Sequence, residues 1–134
     1  MLPMPARLTL LAAALLGIGA APPAPEVPVI IGRYADLDAC STVVRVAGLD
    51  PRGDNYLSLR SRPSPKAREL ARLRPGQWLI ACDDRGGGQW LGVLYDPTGK
   101  ADCGTGSPVA RRQPYRGPCA SGWVARRFTE VIAG

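Results

Sequence analysis

Few residues in this 134-residue chain could do chemistry, and one absence narrows the options sharply: it contains no histidine. Imidazole is the base or ligand in Ser-His-Asp and Cys-His nucleophile sites and in histidine-containing zinc sites, so all of these are excluded. The cysteines are Cys40, Cys82, Cys103 and Cys119. No two are spaced C-x-x-C, which argues against zinc and for two disulfides, with three pairings open. Cys103 and Cys119 bracket a stretch of Gly, Pro, Arg and Ser with few other means of staying ordered. A bridge there closes a loop of about 15 residues, worth ~3 kcal/mol on the chain-entropy model. Cys40 then pairs with Cys82. The carboxylates Asp83 and Asp84 are of the type glycosidases use, but they are adjacent and run into Gly86-Gly87-Gly88, which reads as a turn. Gly104-Thr105-Gly106-Ser107 lacks the Lys and the following helix of a phosphate loop. No metal and no cofactor is expected.

The aromatic residues offer binding chemistry. In the segment Gln89 to Tyr95, Leu91, Val93 and Tyr95 alternate with Trp90, Gly92 and Leu94. If Val93 faces the core, Trp90 faces outward as a broad, rigid platform for a ligand. The competing reading folds the Cys103–Cys119 loop over Trp90 and makes it core. Tyr115 and Arg116, an aromatic beside a cation in that loop, are the next candidate ligand contacts. Trp123 reads as core, and alternation leaves the face of Trp78 open. Positive charge is almost all arginine, clustered at Arg60, Arg62, Arg68, Arg72 and Arg74 and again at Arg111, Arg112, Arg116, Arg126 and Arg127. Such clusters serve either a solvated face or an anionic partner.

These residues need elements to hold them. Thr42–Leu49 is β-branched and stops at Asp50-Pro51-Arg52-Gly53. Tyr56–Arg60 alternates; Gln77–Cys82 and Gln89–Tyr95 flank a turn at 83–88; Gly122–Val124 and Phe128–Ile132 follow. Pro65–Arg74 has helix formers after Ser64 and reads as a loop with a helical turn or two, a short strand being the alternative. Sixteen glycines and fourteen prolines favour such short strands over long helices. The reading is an all-β chain, a small barrel or sandwich.

The N-terminus has a different composition. Arg7 precedes a fourteen-residue apolar run, Leu8 to Ala21, which ends in small residues and Pro22-Pro23-Ala24-Pro25. This is the pattern of a secretory signal peptide, residues 1–20, cleaved near residues 19–21. The run is short of the ~20 residues that span a bilayer, and no later stretch spans one. Removing Arg7 takes the net charge from +6 to +5. A secreted or periplasmic location suits the disulfides and argues against a nucleic-acid partner. Residues 21–38 then read as a Pro-rich linker and 39–134 as the domain, with a loop insert at 96–121.

Four motifs in order resemble a known family. Leu57-Ser58-Leu59-Arg60-Ser61-Arg62-Pro63-Ser64 comes first, then Leu70, Leu73 and Gly76 ahead of a strand. Trp90-Leu91-Gly92-Val93 follows, and Gly122-Trp123-Val124 closes the set. Together they resemble the bacterial SH3 domain, SH3b, over about residues 41–132. Arg62 stands where the family usually has Gly, and 96–121 is longer than the family's turn. The resemblance implies an SH3-like barrel of about five to six short strands and a non-catalytic module. Such a module would bind cell-wall peptide or glycan, that is peptidoglycan, or an envelope protein. The alternative is an inhibitor or immunity protein acting through the disulfide loop.

Overall fold

The computed structural model describes residues 2–6, 9, 11–13, 21–100 and 102–134. The leader assigned to 1–20 falls largely outside the described residues. From residue 30 onward the described residues are all-β, with nine strands and one 3₁₀ turn at Arg126–Phe128 among them. They are β1 Ile30–Ile31, β2 Thr42–Val46, β3 Leu57–Arg60, β4 Glu69–Leu73 and β5 Trp78–Arg85. The others are β6 Trp90–Tyr95, β7 Gln113–Pro114, β8 Ala120–Ala125 and β9 Thr129–Ala133. Seven of them form one sheet in the order β4-β3-β8-β6-β5-β2-β9, and β1 pairs with β7 in a two-stranded ribbon. All pairings are antiparallel. Edges remain at β4 and β9, so among the described residues the sheet is not closed into a barrel.

The middle of the sheet is buried on both faces. On one, Val44, Val46, Leu57, Leu59, Leu73, Leu79, Leu91, Val93 and Val124 form a single cluster drawn from six strands. Period-two alternation supplies it, since β2 and β3 each turn every second residue inward. On the other, Leu94 and Trp123 meet Val29, Ile31, Ala39 and the cysteines. Strand β6 lies between the clusters, so Leu91, Gly92, Val93 and Leu94 are all buried. Gly92 is required there: a Cβ would sit 2.9 Å from Asp83 Cβ and 3.2 Å from the Trp123 ring.

Three expectations change. Pro65–Arg74 takes the alternative reading, a turn followed by the short strand β4, in place of helical turns. Leu57 and Leu59 open an apolar strand edge, and Leu73 and Ala71 pair with them, which outweighs local helix propensity. Ser64 still acts as a local cap, its hydroxyl accepting the Lys66 N–H at 3.2 Å. Asp83 and Asp84 lie on β5, opposite Gly92 and Leu91, because the strand runs on through a bulge and turns only at Gly86. Their carboxylates are structural: Asp83 accepts the Ile30 N–H at 3.0 Å and Asp84 pairs with Arg33. Finally, the stretch read as linker carries a packed strap. Val27 N–H donates to Ser61 O, Val29 is buried, and the Trp123 indole N–H donates to Val27 O at 2.8 Å.

Both expected disulfides are present, Cys40–Cys82 with Cα atoms 4.8 Å apart and Cys103–Cys119 at 5.3 Å. Cys82 is the extra residue of the β5 bulge, between Ala81 and Asp83, and the bulge aims it away from the ladder toward Cys40. No helix among the described residues is long and apolar enough to cross a membrane.

Candidate ligand-binding groove

One end of the sheet carries an open groove of about 860 Å³. It is lined in part by the β2–β3 loop, at Gly48–Asp50 and Gly53–Tyr56, where Asn55 takes the left-handed region at φ 53°. The floor is Ser58 and Arg60 of β3, with Glu69 of β4 alongside. The far wall is Gln89 and Trp90 at the start of β6, with Arg127 and Phe128 after β8. Tyr56, Trp90 and Phe128, far apart in sequence, thus line one depression.

Polar contacts hold its side chains in place. Arg72 covers the Tyr56 ring at 4.4 Å and donates to Glu69 at 2.8 Å. The Ser58 hydroxyl also donates to Glu69, and with Arg72 it holds that carboxyl below its usual range. Arg60 donates to Ala67 O at 2.9 Å. Arg127 lies 4.8 Å over Phe128. Asp50 accepts the Arg52 N–H and so shapes the loop. Flat rings between charges of both signs suit an extended, polar chain with apolar faces, such as a peptide or a glycan, held by stacking and rim hydrogen bonds.

Trp90 is the predicted site residue that reaches this groove. Its ring is half-buried: it packs against the cluster around Trp123 and also lines the depression. The face of β6 that Trp90 shares with Gly92 and Leu94 is a second interior, as the competing reading had it, covered by the strap and the disulfide loop. Tyr115 and Arg116 do not join Trp90 there. The Tyr115 hydroxyl turns inward, donating to Cys103 O at 2.8 Å and accepting the Cys119 N–H at 3.1 Å. It latches the loop, and burial pushes its pKa up. Arg116 is exposed on that loop. Trp123 is fully buried, as expected. Much of the first arginine cluster is engaged within the protein, Arg72 with Glu69 and Arg62 with Glu26.

Sequence reasoning missed Tyr56, Phe128 and Arg127 as groove residues, because no local motif links them. It also left Trp78 unassigned; the indole is 65% exposed, beside Arg45 of β2. Comparison of the chain with protein-family models, with curated proteins and with solved structures gives no match.

Proposed function

We propose that this chain is an exported, non-catalytic binding module related to bacterial SH3 domains. It takes a peptide or glycan strand of the cell wall, or an envelope protein, in the Tyr56–Trp90–Phe128 groove. The convergence of those three rings carries the reading. The four ordered motifs, the short antiparallel strands and the absence of histidine support it. The two disulfides fit a secreted or periplasmic destination, reached through a leader cleaved near residues 19–21. Nucleic acid is not the partner in this reading. The test is sedimentation with purified peptidoglycan at low ionic strength. Retention is expected, and Trp90→Ala or Tyr56→Ala weakens it about thirtyfold, a loss of ~2 kcal/mol typical of aromatic anchors. No retention of the parent protein sinks the wall version.

A second reading has its own observation. The Cys103–Cys119 loop holds Arg111, Arg112 and Arg116 exposed on a framework stapled by the bridge, the Tyr115 latch and the β1–β7 ribbon. A rigid basic loop is what an inhibitor or immunity protein would insert into an acidic enzyme cleft. Co-purification without a stable enzyme partner counts against it.

A further inference from the structure

Trp78 belongs to neither interior and stands outside the aromatic groove. Its indole is 65% exposed, more than any other large apolar side chain among the described residues from 21 onward. Register pairs Trp78 with Arg45 and Ile80 with Val43, so the four side chains share one face of β5 and β2. Ile80 and its β6 partner Leu94 carry that face into the second interior, while Trp78 stays in solvent. Beside the indole lies an open depression of about 550 Å³, lined mainly by apolar side chains, among them Val43, Ile80, Leu94, Tyr95 and Pro97.

The polar groups around it are few and held in place. Arg74 and Gln77 close a turn on each other: the Gln77 N–H donates to Arg74 O at 3.1 Å, and Gln77 Oε1 accepts the Arg74 N–H at 3.1 Å. With its carbonyl committed, the Gln77 amide keeps its NH₂ group to donate. Asp96 to Gly99 supply a second turn. There the Asp96 carboxylate accepts the Thr98 and Lys100 N–H groups at 3.1 and 2.7 Å and the Thr98 hydroxyl at 2.6 Å. Arg74 and Asp96 are the charged side chains of the lining. Asp96 is engaged inside its own turn, whereas Arg74 is exposed and enters no ion pair among the described residues. The depression thus offers a flat ring and two donors, one of them cationic.

We propose that Trp78, Arg74 and Gln77 form a second binding site, for a carboxylate-bearing sugar unit of an acidic glycan. The apolar C–H face of a pyranose ring stacks on the indole, its carboxylate accepts from the Arg74 guanidinium, and a hydroxyl accepts from Gln77. Three observations select that occupant. The uncommitted charge is positive, so the ligand brings the anion. β5 lies between β6 and β2, and β2 between β5 and β9, so the site offers side chains and no free strand edge for an extended peptide. The indole lies largely in water on an open face, which suits a sugar, apolar on one side and hydroxylated around its rim. A fatty or aromatic acid gains most from an enclosed pocket that buries it on all sides.

The test titrates the oxidised, ¹⁵N-labelled protein with trigalacturonate and with its methyl ester at about 0.15 M salt, where exposed charges more than ~8 Å apart are screened. The Trp78 indole N–H and the Gln77 and Thr98 amides should shift with the acid, while the Trp90 and Trp123 indoles stay still. Trp78→Ala should abolish the amide shifts; Arg74→Gln and the methyl ester should each weaken binding at least about tenfold. Both side chains are exposed, so the variants should melt like the parent. If Trp78→Ala does not, Arg74→Gln and the ester on the parent protein decide. The proposal is overturned by equal binding of the ester, by shifts at the Trp90 indole alone, or by no shift at about 10 mM trigalacturonate. Loss of binding in Arg111→Gln with Arg112→Gln also overturns it, by moving the anion to the disulfide loop. So does a dimer of the protein alone that Trp78→Ala dissociates, which assigns the ring to a second copy. Peptidoglycan retention is scored with Trp90→Ala, which should leave this titration unchanged, so the groove reading and this one fail separately.

Discussion

The two interiors of this small sheet are assembled by different means. The first is made by the strands themselves: Val44, Leu59, Leu79 and Val93 point inward by alternation from four strands of one sheet and meet in a single cluster. The second is collected from afar. Val29 and Ile31 come from an N-terminal strap, Cys103 and Cys119 from a long loop, and Trp123 from β8. Covalent and side-chain ties hold these pieces: two disulfides, the indole bond to Val27 and the Tyr115 latch. A sheet with one self-made face is half a domain. In this chain the other face is closed by segments with little regular structure, for which cross-links substitute for ladder hydrogen bonds.

That contrast can be broken at several points. The largest effect is expected from Trp123→Ala, which empties the centre of the second interior and costs ~3–5 kcal/mol, read as a fall in the thermal midpoint. Next come the bridges. Replacing Cys40 and Cys82 together removes a 42-residue closure and Cys103 with Cys119 a 16-residue one, so the losses should be about 4 and about 3 kcal/mol. Hydrogen exchange sharpens the second case. Amides of 103–119 and of the strap should exchange faster while those of Val44, Leu59 and Val93 stay protected. If all amides loosen together, the two interiors are one cooperative unit.

Trp90→Ala sits between the regions, and its half-buried ring should contribute ~2 kcal/mol of stability as well as ligand binding. A melting curve and a binding curve on this one variant separate the two roles. Tyr115→Phe strips the latch of its donor and leaves the Cys119 N–H without its acceptor, for a loss of about 1–3 kcal/mol. Gly117→Ala should behave like it, since a Cβ there would overlap the Tyr115 phenol.

The smallest effect is one of pH. Burial pushes the Tyr95 and Tyr115 phenols above their ordinary value of 10.0, the first packed against the main cluster and the second against the other. A group raised in the folded state contributes stability fully below its unfolded pKa and loses it as pH climbs through the folded value. Stability should therefore decline above about pH 10 and be flat in this respect below it. Chemical denaturation across that range should show a shallower decline in Tyr95→Phe and Tyr115→Phe.

Much of this architecture is legible in residue order. β-Branched and alternating runs bounded by Gly and Pro mark β2, β3, β5, β6, β8 and β9 to within a few residues, because a half-buried strand requires period two whatever its neighbours. The disulfide pairing follows from the lack of other order between Cys103 and Cys119. Strand β4 was obscured because Lys66–Arg74 is locally a helix former, and only the apolar edge of β3 makes it extended. The turn at Asp83-Asp84 was misplaced because nothing in the residues announces a bulge at Cys82. The groove was half-visible: Trp90 stands out by type and spacing, whereas Tyr56 and Phe128 join it only through the pairing of β3 with β8.

Alternation, turn chemistry and cysteine number are local or compositional properties, and from them the sequence alone determines an all-β, disulfide-bonded chain without imidazole chemistry. Which face of β6 is solvent, whether the proline-rich stretch is a linker or a strap, and where three distant rings meet depend on contacts between residues as much as 96 positions apart. Such contacts carry no periodic signature. They are decided by the need to cover apolar surface that the strands leave exposed, and only the tertiary structure states how that need is met.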